Sequence, residues 1–104
     1  MSRFVPSAEA RADLREIQRH IAKDSIEPAR RVMADIRNAI RELARMPGMG
    51  HKRVDLTKKD VLFWPTGPYL IIYRVEDSIL QIVAVLHGRR HVKNLLGERL
   101  KRID

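Results

Sequence analysis

The stretch Tyr69-Leu-Ile-Ile-Tyr-Arg-Val-Glu-Asp-Ser-Ile-Leu-Gln-Ile-Val-Ala-Val-Leu-His87, residues 69–87, holds two apolar runs separated by the polar triplet Glu76-Asp77-Ser78. Residues 69–75 and 79–86 are rich in β-branched side chains, and the triplet suits a tight connection, so the segment reads as a β-hairpin. With the turn centred near Asp77, Arg74 falls opposite residues 79–81, while His87 lies beyond Tyr69 at the far end. A rise of ~3.3 Å per residue separates Arg74 from His87 by roughly 20–27 Å, too far for one small site.

Upstream, Val61-Leu62-Phe63-Trp64 is a short apolar strand closed by Pro65, and Thr66-Gly67-Pro68 turns the chain into the hairpin, making a meander. Lys52-Arg53-Val54-Asp55-Leu56 alternates weakly, and Thr57-Lys58-Lys59-Asp60 is turn-like. Before Gly50 the apolar period is helical. Ala10, Leu14, Ile17 and Ile21 share one helical face, with Arg11, Arg15 and Arg19 on others. A very short strand, Phe4-Val5, ends at Pro6, and Ser7 is placed to cap this helix, with Glu9 in its first turn. Asp24-Ser25-Ile26-Glu27 supplies a second capping pattern, with the Asp24 carboxylate available to free N–H groups and Pro28 tolerated in the first turn. Val32, Ile36, Ile40 and Leu43 then line a core face, Arg30, Arg37, Arg41 and Arg45 form a basic stripe, and Pro47-Gly48-Met49-Gly50 stops the helix. So short a linker packs the two helices as an antiparallel hairpin. Downstream, Gly88 ends the last strand, and Val92, Leu95, Leu96, Leu100 and Ile103 suggest a C-terminal helix. The order of strand, two helices, three strands and a last helix is an α+β sandwich of two layers in a single domain, residues 1–104.

A chain of 104 residues has room for one core and one main site. It has no cysteine, which excludes a disulfide framework and thiolate metal ligation and fits a reducing cytoplasm. No run approaches the roughly 20 apolar residues of a membrane span, so no membrane partner or export is expected. The 21 Lys and Arg outnumber the 13 Asp and Glu, and the resulting +8 calls for an acidic partner.

The meander geometry gathers Trp64, Tyr69, His87, Arg89, Arg90 and His91 at the end of the last strand. Cations beside aromatic rings suit phosphate contact with base stacking, and equally a protein interface. Trp64 and Tyr69 also serve as partly buried core residues, and Arg74 is placed to pair with Glu76 or Asp77. His20, His51, His87 and His91 lack metal-ligand spacing, because the His87 and His91 pair straddles Gly88 and a strand-to-helix junction. No metal and no cofactor is expected, and no phosphate loop, serine elbow or carboxylate pair is present.

With the elements placed, the chain resembles the RelE/ParE toxin superfamily of bacterial type II toxin–antitoxin systems over nearly its whole length. The likeness rests on Ala12-Asp13-Leu14-Arg15-Glu16-Ile17, on residues 20–24 and 43–50, and above all on Gly67-Pro68-Tyr69-Leu70-Ile71-Ile72-Tyr73-Arg74-Val75 with Ile82-Val83-Ala84-Val85-Leu86-His87-Gly88-Arg89-Arg90. The resemblance implies a helical hairpin packed on a small, mostly antiparallel sheet of three to four strands. It implies one of two activities: inhibition of DNA gyrase, as in ParE-like members, or ribosome-dependent cleavage of messenger RNA, as in RelE-like members. Family nucleases carry basic residues on the sheet, whereas Val61-Leu62-Phe63-Trp64 has none, which favours the gyrase branch. On that branch the target-binding candidates are Trp64, Tyr69, Arg74, His87, Arg89 and Arg90. If the chain were a nuclease, His87, Arg89, Arg90 and His91 would be the catalytic candidates, with His91 standing where the family often has Asp. The implied partners are gyrase, together with its DNA, and a ParD-like antitoxin, acidic and folding as it binds. The alternative partners are the ribosome and messenger RNA.

Overall fold

The computed structural model describes residues 3–103, the side chain of Ile103 excepted. The elements are β1 (Phe4–Pro6), α1 (Ala8–Ala22), α2 (Ile26–Arg45), β2 (Leu62–Thr66), β3 (Tyr69–Glu76), β4 (Ile79–His87) and α3 (Val92–Ile103), with a single 3₁₀ turn at Pro47–Met49. The four strands form one sheet in the order β1-β4-β3-β2. Its β2-β3 and β3-β4 pairs are antiparallel, and the short β1 lies parallel to β4.

Ser7 caps α1 as its sequence position predicts: its hydroxyl oxygen accepts the Ala10 N–H at 3.0 Å. The second cap differs from expectation. Ser25, not Asp24, occupies the N-cap of α2, and its side chain makes no capping bond. Asp24 and Ser25 both donate their N–H groups to Ile21 O at 3.2 Å, so Asp24 lies in the turn that closes α1. Glu27 stands in the first turn of α2, where the helix dipole favours a carboxylate.

The two hairpin turns use left-handed backbone. Gly67 has φ 57° between β2 and β3, and the β3-β4 turn places both Asp77 (φ 53°) and Ser78 (φ 62°) in that region. Two consecutive positive φ values are what a two-residue hairpin turn needs to match strand twist, but neither residue is glycine. Arg74 pairs with Gln81, inside the range read from the sequence, but His87 pairs directly with Tyr69 instead of lying beyond it, because the register shifts by one residue between Ile72 and Tyr73. Pro65 lies inside β2 instead of closing it. Phe63 exchanges both its backbone bonds with His51 on the outer side of β2, so Pro65, two residues on, turns its missing N–H to the same outer edge, where no ladder bond is lost. The weak alternation at residues 52–56 forms no strand. Val54 is 76% exposed there, and Arg53 reaches Asp55 across it within a turn.

Core packs on both sheet faces. Tyr69, Ile71, Tyr73, Leu80, Ile82 and Val85 meet Ala10, Ile36, Ile40 and Leu43 from the helical hairpin. Phe63, Ile72, Ala84 and Leu86 on the other face meet Val92, Leu96 and Leu100 of α3. The sequence reading anticipated two layers, and α3 adds a third, because β3 and β4 are apolar on both faces and each face needs cover. Burying each of the three α3 side chains stabilises the docked helix by about 2 kcal/mol. Leu95 faces outward at 37% exposure, and the side chain of Ile103 lies outside the described residues.

Candidate functional site

The end of β4 is shaped by a β-bulge. Tyr73 pairs with Ile82 and Ile72 with Ala84, leaving Val83 as an extra residue on β4. Before the bulge the even residues Leu80 and Ile82 face the helical hairpin; after it the odd residue Val85 does. His87, two residues further on, takes the same side and meets the Tyr69 ring edge-on at 5.4 Å. Without the extra residue the imidazole would face α3.

Past Ile82 the outer edge of β4 has no strand beside it, because the chain leaves β1 at Pro6 and enters α1. Side chains take over its backbone groups. Val85 N–H donates to Asp13 Oδ2 at 3.0 Å, and Val83 O accepts from Arg99 Nη1 at 3.3 Å and Ser7 Oγ at 3.4 Å. Arg99 also grips the Asp13 carboxylate through both Nη atoms, with Nη2 to Oδ1 at 3.0 Å. Glu9 adds contacts to Arg99 Nε at 3.5 Å and Arg102 Nη2 at 2.9 Å. The Asp13 hydrogen bonds are the main cause of the raised Arg99 pKa, which burial opposes. This pair joins α1 to α3 around the sheet edge, and sequence reasoning missed it. Its signal was a carboxylate bordering the apolar stripe of α1 and a guanidinium bordering that of α3.

Two cavities flank the strand end. One, of about 350 Å³, lies between α1 and β4 and is lined by Glu16, Ile17 and His20 on one side and Tyr69, Val85, His87 and Arg90 on the other. The second, of about 280 Å³, lies between residues 53–56 and the start of α3, with Arg53, Leu56, Leu70, Arg90, His91 and Lys93 in its lining. Arg90 borders both. Arg53 holds Asp55 by two hydrogen bonds of 2.9 and 2.7 Å, which lowers the Asp55 pKa first, with smaller contributions from the charges of Arg53 and Lys93.

Tyr69, His87 and Arg90 thus share one cavity, and Arg90 and His91 share the next. Arg89 is exposed and lines neither, but its N–H donates to His87 Nδ1 at 3.1 Å. That bond makes Nδ1 an acceptor, so the neutral imidazole carries its proton on Nε2. In this state it offers a donor and no free basic nitrogen. Trp64 sits on β2, half-buried, stacked on His51 at 6.1 Å and packed against the helix-side core. Arg74 is at the opposite end of the hairpin, where Nε donates to Gln81 at 3.0 Å and Nη2 lies 3.7 Å from Glu76. Glu16, His20, Arg53 and Lys93 line the cavities without having been singled out, since nothing in their local sequence separates them from other surface charges. Among the described residues no group of three or more His, Asp or Glu is arranged to hold a metal, and no helix is long and apolar enough to cross a membrane.

The sequence model of a family described as "ParE toxin of type II toxin-antitoxin system, parDE" matches residues 4–92. The chain is 34% identical over 84 residues to "Putative toxin Y4kP" of Sinorhizobium fredii, spanning 80% of this chain and 84% of that protein. Its fold is similar to a chain of the "Chromosomal ParDE TA system from P. aeruginosa", with a TM-score of 0.69 and 22% identity over 84% of this chain and 96% of that one.

Proposed function

Because the chain belongs to the ParE toxins of type II toxin–antitoxin systems, we propose that it inhibits DNA gyrase by trapping a gyrase–DNA complex, and that a cognate antitoxin neutralises it. The action is binding, not turnover, and takes place in the cytoplasm. Cleavage of RNA at a 2′-hydroxyl needs a base, a stabiliser of phosphorus charge and an acid in one place. β2 carries no Lys or Arg, and the single observation that weighs most is the Arg89 N–H on His87 Nδ1, which leaves the neutral imidazole beside Tyr69 and Arg90 without a free basic nitrogen. What remains is a cationic, aromatic-edged surface suited to gripping an anionic macromolecule.

The antitoxin fits the α1–β4 cavity, whose floor of Ile17, Tyr69 and Val85 takes an apolar side chain while His87 and Arg90 face an acidic neighbour. The chain's +8 supports an acidic partner segment.

The deciding experiment incubates the purified toxin with gyrase and supercoiled DNA, and in parallel with programmed ribosomes and messenger RNA. Covalent gyrase–DNA cleavage complexes are expected in the first arm, diminished by Arg90→Glu and suppressed by antitoxin. Codon-dependent cleavage in the second arm with gyrase untouched overturns the reading.

A further inference from the structure

We propose that the cleft between residues 53–56 and the start of α3 seats a backbone phosphate of nucleic acid, held by Arg53, Arg90 and Lys93. The inference takes the nucleic acid itself from the function proposed above, and adds where it is held.

Charge is concentrated there. Residues 52–60 and 89–93 together contribute seven Lys or Arg, opposed by Asp55 and Asp60, which gives five of the chain's eight net positive charges. The helical hairpin is comparatively balanced, with carboxylates interspersed among its arginines. The surface is also concave: the cleft encloses about 280 Å³ over Leu56 and Leu70, and its rim is cationic.

The cations are available. Among the described residues Arg90 and Lys93 hold no carboxylate within ion-pair distance, and both are exposed. Asp55 engages one Nε–H and one Nη2–H of Arg53, which leaves three of the five guanidinium N–H groups free for a phosphate oxygen. A carboxylate at the mouth that is already neutralised by its own arginine does not repel an anion as a free one would.

An acidic peptide is the weaker occupant. Apolar anchors dominate peptide docking, and the larger apolar floor belongs to the neighbouring α1–β4 cavity. Arg90 borders both cavities, so a strand with one phosphate in this cleft continues towards His87, whose half-buried ring edges the α1–β4 cavity.

Binding of the full chain to a labelled duplex of about 20 base pairs, followed by fluorescence anisotropy over a salt series, tests this by the slope of log affinity against log salt. The double variant Arg53→Gln/Lys93→Gln is expected to reduce that slope by about 2 and to weaken binding at least tenfold at low salt, equally on two unrelated sequences. Arg37→Gln, on the exposed outer side of α2, leaves slope and affinity unchanged. All three side chains are exposed, so matched melting temperatures confirm that folding is intact. An unaltered slope and affinity in the double variant overturns the proposal, as does loss of antitoxin binding with duplex binding retained, which assigns the cleft to the peptide. If the wild-type chain shows the expected slopes but does not inhibit gyrase, the phosphate seat stands and the gyrase reading fails; the converse result separates them the other way.

Discussion

Removing Arg99 tests whether the Asp13 pair fastens α3 to the rest of the molecule. The two side chains are 14% and 13% exposed and share a bidentate contact, and Arg99 also donates to Val83 O. Arg99→Met keeps an apolar stem but removes the guanidinium and strands the Asp13 carboxylate with Val85 N–H as its remaining donor. Breaking a buried pair from one side costs 3–5 kcal/mol, and with some solvent still reaching these groups the low end applies, about 3 kcal/mol. Asp13→Asn retains an acceptor for Val85 N–H and leaves Arg99 beside Glu9, so its cost is about 2 kcal/mol. In the double variant no charge is stranded, and the total is about 3 kcal/mol instead of 5, a coupling of about 2 kcal/mol. At about 4 °C per kcal/mol for a chain of this size, Arg99→Met melts about 12 °C below wild type. Urea melts of the four proteins give the cycle, and hydrogen exchange at the Val85 amide reports the strand edge directly. Effects that add to within about 0.5 kcal/mol would refute the pairing, since uncoupled sites behave that way.

Tyr73 is fully buried; its hydroxyl donates to Pro47 O at 2.6 Å and accepts Gly50 N–H at 2.9 Å, so Tyr73→Phe is expected to destabilise by about 1–3 kcal/mol in chemical denaturation. Burial raises the Tyr73 pKa, so its contribution is complete below the ordinary phenol range and is lost as pH rises through the folded value; stability measured above pH of about 10 should fall in wild type and fall less in the phenylalanine variant. Gly50→Ala places a Cβ 2.4 Å from the Tyr73 hydroxyl oxygen and should cost about 2 kcal/mol in the same assay. Ser78→Gly relieves a left-handed residue in the β3-β4 turn and is expected to raise stability by about 0.5–1 kcal/mol, with the melting temperature rising accordingly.

Periodicity made much of this molecule legible. The spacing of Ile36, Ile40 and Leu43 declared the buried face of α2, and the length of the two runs around Asp77 set a register that the pairing of Arg74 with Gln81 matches. What stayed hidden depends on contacts between residues far apart in the chain. Asp13 and Arg99 are 86 positions apart, and no local pattern announces that they meet. The docking of α3 was hidden for the same reason, because its apolar stripe does not say which sheet face it covers. Pro65 and Asp24 show the opposite difficulty: local rules for strand ends and helix caps were applied where an edge position and a continuing helical turn override them. For the site, residue types at the end of β4 were readable, but the tautomer of His87 and the grouping of Arg90 with two separate cavities follow from three-dimensional placement.

The extra residue at Val83 has a consequence for how such a chain tolerates change in length. One amino acid gained or lost between Val83 and His87 would exchange inward and outward positions for the remainder of the strand, carrying the imidazole to the opposite side and an aliphatic group into its place. Beyond Gly88 no ladder fixes which side a residue faces, so the same change among residues 89–91 would displace Arg90 without inverting the strand before it.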